Sequence, residues 1–184
     1  MIYPNNFEQK IGFDQIRHIL RERCLSTLGK DKVEDMCFVT ASDEVNRRLD
    51  EVTEFVRIIQ EEDNFPNQHF FDVRPALHRA TIEGLYMDEG ELFDLRRSLD
   101  TIGQIVLFLR RNDGDDEENK DSKYPCLEAL AADVQSFPTL IRRIDGIVGK
   151  FGKIKDNASS TLANIRRELA ATTGSISRTL NSIL

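Results

Sequence analysis

The 184 residues contain no tryptophan, only five prolines and ten glycines, and three histidines. So little proline and glycine excludes a collagen-like or low-complexity chain and leaves long stretches free for helices. The cysteines, Cys24, Cys37 and Cys126, are odd in number, far apart and outside any C-x-x-C spacing. That excludes a disulfide framework and a cysteine zinc site, and the three read as buried thiols in a reducing cytosol. No apolar run approaches the ~18 residues that a membrane span requires. The opening "MIYPNNFEQK" has neither the basic start nor the apolar core of a secretory signal, so a cytoplasmic protein without a membrane partner is expected. What is present, 40% hydrophobic and 31% charged residues, is the composition of a soluble globular chain of one domain or one and a half.

A formal charge of −7 argues against phosphate binding by the chain as a whole. The distribution says more. From residue 138 onward eight cations (Arg142, Arg143, Lys150, Lys153, Lys155, Arg166, Arg167, Arg178) stand against Asp145, Asp156 and Glu168, a balance of +5, which leaves −12 for the first 137 residues. Part of that deficit lies in "NDGDDEENKD", residues 112–121, which has no apolar residue to bury and reads as a mobile loop. An excess of five cations fits an ordinary solvated helix face and a functional basic surface equally.

Apolar spacing predicts helices almost throughout. Phe13, Ile16, Leu20, Cys24 and Thr27 form one stripe over residues 13–28, with Gly29 placed to close it. Ser42, Asp43 and Glu44 suit a helix start, and Val45, Leu49, Val52, Val56 and Ile59 then recur at four and three. "NFPNQHFFDVRP" reads as a loop anchored by aromatics, with Pro75 opening a short helix that ends by Gly84. Asp88 and Glu91 have capping-box spacing before Leu92, Leu95, Leu99, Ile102, Val106 and Leu109. Pro125 and Pro138 each suit a first helical position.

Phe151 and Ile154, among polar neighbours, could make only a brief strand near residues 152–156 before Ser159 caps a last helix. Along that helix Leu162, Ile165, Leu169, Thr172, Ile176, Thr179 and Ile183 follow a heptad seam. Leu162, Ile165 and Leu169 are expected to pack on the bundle, and Ile176, Leu180 and Ile183 to protrude. A helix that reaches Leu184 with its seam uncapped points to a sequence that continues, or to a second copy as partner in a homodimer. The fold expected is all-α: a helical core over residues 1–151, then a short connector and a long helix over 152–184.

No catalytic constellation stands out, and a chain that is not an enzyme is expected. Asp14 and His18 are four apart on a helix and could ligate a metal, yet no second pair completes a site, and a surface ion pair is the simpler reading. His69 and His78 read as structural.

The stretch "GKIKDNASSTLANIRREL", residues 152–169, resembles the segment that leads into the lever helix of bacterial MutS-like proteins, most closely the type-two MutS paralogue. There a glycine, an aliphatic residue and a charged pair precede a small-residue cap and an Ile-Arg-Arg-Glu run. "IGFDQIRHILRERCLSTLGKDKVEDM" and "DVRPALHRATIEGLYMDEGELFDLRRSL" are similar to earlier blocks of that family. The resemblance implies the first part of a helical core and lever, the mechanical link between nucleotide state and a clamp around branched DNA or, on stalled ribosomes, ribosomal RNA. It also implies a longer ATPase, using ATP and magnesium, with an Smr endonuclease domain and a role in mismatch repair or recombination suppression. Arg166 and Arg167, in the Ile-Arg-Arg-Glu run, are the candidate nucleic-acid contacts. The phosphate loop G-x-x-x-x-G-K-[ST] does not occur here. "GIVGKFGK" spaces its glycines wrongly and puts Phe151 where the metal-holding hydroxyl belongs.

Overall fold

The computed structural model describes residues 6–111 and 122–183. The acidic run 112–121 lies outside the described residues. Nine helices occur among those described: α1 Phe7–Lys10, α2 Phe13–Glu22, α3 Thr27–Glu34, α4 Ser42–Glu61, α5 Arg74–Ala80, α6 Glu89–Leu109, α7 Pro125–Leu130, α8 Pro138–Ile147 and α9 Ser160–Ile183. The only β feature among them is one antiparallel bridge, Val148 to Ile154, so the chain is all-α with a single brief extended contact. Two compact units form, one from Met1–Arg74 with Thr101–Ser136, the other from Pro75–Asp100 with Phe137–Leu184. The boundary read at residues 151 and 152 falls inside the second unit.

In the first unit, the helix read over residues 13–28 is two helices. Ser26 adopts an extended backbone, and its Oγ accepts a hydrogen bond from the Gly29 N–H at 3.1 Å, so the serine starts α3 afresh. Gly29 therefore sits in the first turn of α3 and closes nothing. Helix α4 begins at Ser42 with Asp43 and Glu44 in its first turn, where the helix dipole favours acids. Its N-cap is Ala41, however, and no side chain caps it.

The face of α4 that packs is not the apolar stripe. Glu54 and Ile58 are its buried residues, whereas Val45, Leu49, Val52, Val56 and Ile59 are all exposed. Ile58 joins Phe108, Leu109 and Tyr124 in the core, with Phe65, Ile105 and Leu127 packed around them. Phe65 anchors its loop as the sequence suggests, standing edge-on to Phe55 at 5.5 Å and to Phe108 at 5.2 Å. The thiols depart from expectation: Cys37 is exposed, and Cys24 and Cys126 are half-buried. Val45, Leu49 and Val52 instead line an open groove of about 690 Å³ with Phe7, Ile11 and Phe38.

In the second unit, the capping box at the start of α6 forms in both directions. Glu91 N–H donates to Asp88 Oδ1 at 2.8 Å, and Asp88 N–H to Glu91 Oε2 at 3.1 Å. Pro75 is the second residue of α5, which ends at Ala80, and Gly84 takes φ +82° in the turn beyond. Pro125 and Pro138 open α7 and α8 as their missing N–H allows. Arg96 joins α6 to α8 through a two-pronged contact with Asp145, at 2.8 and 3.3 Å. Ser159 Oγ accepts from Leu162 N–H at 3.1 Å and caps α9. Beyond that cap the expectation of a packed first half fails. Ile165 is 56% and Leu169 65% exposed, as open as Ile176 and Leu180, and only Leu162 is half-buried. Beyond Leu162 the described apolar residues of the seam, Ile165, Leu169 and Ile176, stay exposed, so the heptad pattern is not packed in its own unit.

Candidate nucleic-acid interface

The cations counted from the sequence are distributed along α8, a hairpin and α9. On α8 the buried residue is Ile144, and Arg142 and Arg143 are exposed. Among the described residues neither enters an ion pair. The chain then turns back on itself. Gly149 N–H donates to the Lys153 carbonyl at 2.8 Å, Gly152 N–H to the Gly149 carbonyl at 3.1 Å, and Lys155 N–H to the Ile147 carbonyl at 2.8 Å. Gly152 takes φ +74°, a left-handed conformation that closes such a hairpin without a Cβ penalty.

Several of the cations are committed locally. Lys153 Nζ lies 2.5 Å from Glu89 Oε1, and that hydrogen bond raises the lysine's pKa and lowers the glutamate's. Lys155 Nζ donates to the Asp145 carbonyl. Arg166 bonds to the Asp156 carboxylate and to the Ile154 carbonyl at 3.2 Å, which braces the connector against α9. Arg167, by contrast, is exposed and donates only a 3.3 Å hydrogen bond to Asn164 on its own helix. Arg178 donates to the Gly174 carbonyl at 3.2 Å. The two arginines singled out by sequence are thus unlike: one holds the start of α9, the other is open. Sequence reading passed over Phe151, placed in a possible strand. It stands at the hairpin tip and is 91% exposed. The glycines on either side, Gly149 and Gly152, were the signal that a turn belongs there.

The segment "GIVGKFGK" does not fit a nucleotide phosphate. A phosphate loop joins a strand to a helix start, where backbone N–H groups converge on the anion. Here the segment is the end of α8 followed by the hairpin, and its Gly149 and Gly152 N–H groups are used within the turn. Asp14 and His18 both lie on α2, and no group of three or more His, Cys, Asp or Glu that could hold a metal occurs among the described residues. His69 has φ +66° in its loop with its ring stacked 6.0 Å from Phe71, and His78 is in α5. No helix among the described residues is long and apolar enough to cross a membrane.

No protein-family model matches the chain. Curated relatives do. Endonuclease MutS2 of Alkaliphilus oremlandii is 28% identical over 174 residues, which are 95% of this chain and 21% of the relative. The protein of the same name from Alkaliphilus metalliredigens is 30% identical over 165 residues, 90% of this chain and 20% of the relative. A third, from a Geobacillus species, is 28% identical over 174 residues, again 95% and 21%. The chain spans about a fifth of the length of the curated relatives it matches. With that similarity running along nearly its whole length, the chain belongs to the bacterial MutS-like family, in the branch of the type-two MutS paralogue.

Proposed function

We propose that these residues are a non-catalytic core and connector portion of a cytoplasmic, MutS-like, ATP-driven clamp that acts on branched DNA or on the RNA of stalled ribosomes. The observation that carries this reading is α9. It is a capped helix of 24 residues whose Ile165, Leu169, Ile176 and Leu180 are all exposed, so it serves as an arm and not as a core element. An arm braced at its root by Arg166 and Asp156 can transmit a rotation without melting. Arg167 and the exposed cations of α8 are the nucleic-acid contacts nearest this root in sequence, and Arg166 holds their register. The ATP and magnesium chemistry and the endonuclease activity belong to other parts of the longer protein, since the residues here do not fit a nucleotide phosphate.

Reading the gene past the codon for Leu184 tests the proposal. An open frame encoding G-x-x-x-x-G-K-[ST] supports it, and a stop codon there overturns it. Calorimetry on the chain itself is expected to detect no micromolar ATP affinity, and such an affinity would contradict the assignment. The exposed seam also favours a second reading, a helical adaptor that pairs with another copy through α9. Sedimentation velocity decides that one: a dimer that Ile176→Gln with Leu180→Gln converts to monomer supports it, and a monomer at high concentration ends it.

A further inference from the structure

The hairpin between α8 and α9 holds an aromatic ring away from the protein. Phe151, at its tip, is 91% exposed, a higher value than that of any other large apolar side chain described. A single exposed apolar residue requires no explanation by itself. This one is set on a fixed mount. Gly152, the next residue, is buried so closely against the Phe93 ring that a Cβ there would lie 3.1 Å from Cδ1. The turn is closed by three backbone hydrogen bonds, and Lys153 and Lys155 tie its returning strand to Glu89 and to the Asp145 carbonyl. The ring therefore has no mobile loop with which to fold back. Beside it stands Lys150, exposed and without an ion pair among the described residues, and the helix that leads into the turn carries Arg142 and Arg143 in the same condition.

We propose that the Lys150–Phe151 tip binds single-stranded nucleic acid, the Phe151 ring stacking on one unpaired base while Lys150 and the α8 arginines meet backbone phosphates. A flat aromatic face beside cations is the arrangement that single strands use, because every base has a π-face and every linkage a charge. Duplex DNA offers no free base face to such a ring. A lipid surface is the less fitting partner, since one ring supplies little insertion and the remaining side chains of the turn are a glycine pair and lysines. The assignment deepens the nucleic-acid reading above by naming the surface and the strand state it selects, and it rests on that reading.

The test is fluorescence anisotropy with a labelled oligothymidylate of ~12 nucleotides, within the range of single-strand site sizes, against a blunt duplex of equal length at low salt. Phe151→Ala is expected to weaken single-strand binding by about tenfold or more and to leave duplex binding unchanged. Its thermal unfolding should match the parent, because the ring packs on nothing. Phe151→Trp should retain affinity, and its indole, the only one in a chain that has no tryptophan, should be quenched by the oligonucleotide. Lys150→Gln should lower the slope of log affinity against log salt by roughly 0.7. Single-strand affinity unchanged in Phe151→Ala overturns the inference, as does the absence of any oligonucleotide binding. An indole that responds to vesicles of phosphatidylglycerol and not to the oligonucleotide overturns it in favour of a lipid surface. Each of these leaves the clamp reading to be judged by the gene sequence beyond residue 184, and a stop codon there would leave the stacking result standing.

Discussion

The Glu54 carboxylate caps a helix that lies more than seventy residues away in sequence: it accepts hydrogen bonds from Cys126 N–H at 3.0 Å and Leu127 N–H at 2.9 Å. These are first-turn donors of α7, which has no side-chain cap of its own. Buried glutamates are rare, and this one is 8% exposed because two backbone dipoles replace its water. Glu54→Ala is expected to destabilise the chain by about 1 to 3 kcal/mol, since two half-buried donors would lose their acceptor. Glu54→Gln, which retains an acceptor oxygen, should cost less. Urea melts of the three proteins measure this, and an unchanged midpoint in Glu54→Ala would show that water can serve α7 instead.

The same carboxylate controls a thiol. Hydrogen bonding to Glu54, then burial, raises the Cys126 thiol above its ordinary pKa, whereas Cys37 is exposed. The thiolate is the reactive form. Iodoacetamide near neutral pH should therefore alkylate Cys37 well before Cys126, and Glu54→Ala should speed the labelling of Cys126. Mass spectrometry of a time course reads both rates. Equal rates at the two cysteines in the parent chain would contradict the account.

An acid-sensitive contact is centred on Asp72. The Arg74 side chain beside it, with help from Arg74 N–H at 3.1 Å and Thr27 Oγ1 at 3.3 Å, holds its pKa down to about 2. The folded value is below the unfolded one, about 3.9, so the folded state binds this proton less readily. Its contribution is present above about pH 4 and is lost as the pH falls toward 2. Asp72→Asn should thus lower the thermal midpoint at pH 7 slightly and flatten its decline between pH 4 and pH 2. Parallel curves for variant and parent across that window would refute the assignment.

Two glycines should respond to alanine in opposite directions. Gly152 combines φ +74° with a Cβ site 3.1 Å from the Phe93 ring, so Gly152→Ala is expected to cost about 1 to 3 kcal/mol. Gly146, inside α8 with nothing within 4 Å of its Cβ position, should gain roughly 0.5 to 1 kcal/mol from the same change. Denaturant unfolding of the pair provides the comparison, and a loss at Gly146 would mean that its helix carries strain.

On α9, truncating the seam should scarcely affect folding. Ile165 and Leu169 are more than half exposed, so each change to alanine is expected to alter unfolding by less than about 0.5 kcal/mol, the range of ordinary surface substitutions. A buried position would lose about 2 to 5 kcal/mol. A loss of that size in a monomer would show that the helix packs on its own chain.

Features whose physics is local could be read in advance. The proline starts of α7 and α8, the Asp88–Glu91 box and the Ser159 cap each depend on groups within four residues, and all stand where the spacing placed them. So did the all-α class, because period is a property of one helix. The break at Ser26 was local too, yet the stripe running across it concealed it: a serine that can cap and a glycine that can close offered two answers within four residues. What periodicity could not supply is the identity of the facing surface. Helix α4 has an apolar stripe at Val45, Leu49, Val52, Val56 and Ile59, and the tertiary structure buries Ile58 and Glu54 instead, because the α7 N-terminus needs an acceptor and the aromatic core needs Ile58. The candidate interface followed the same division. Charge counting located the basic C-terminal quarter of the chain, and the glycines flanking Phe151 signal a turn, but only the fold separated Arg166, spent on Asp156, from Arg167. Sequence alone determined the helical class and those helix starts whose caps or prolines are local, since those interactions close within a turn; the cap of α7 by Glu54 does not. Which faces are buried, and which cations remain open, was decided by contacts between residues tens of positions apart.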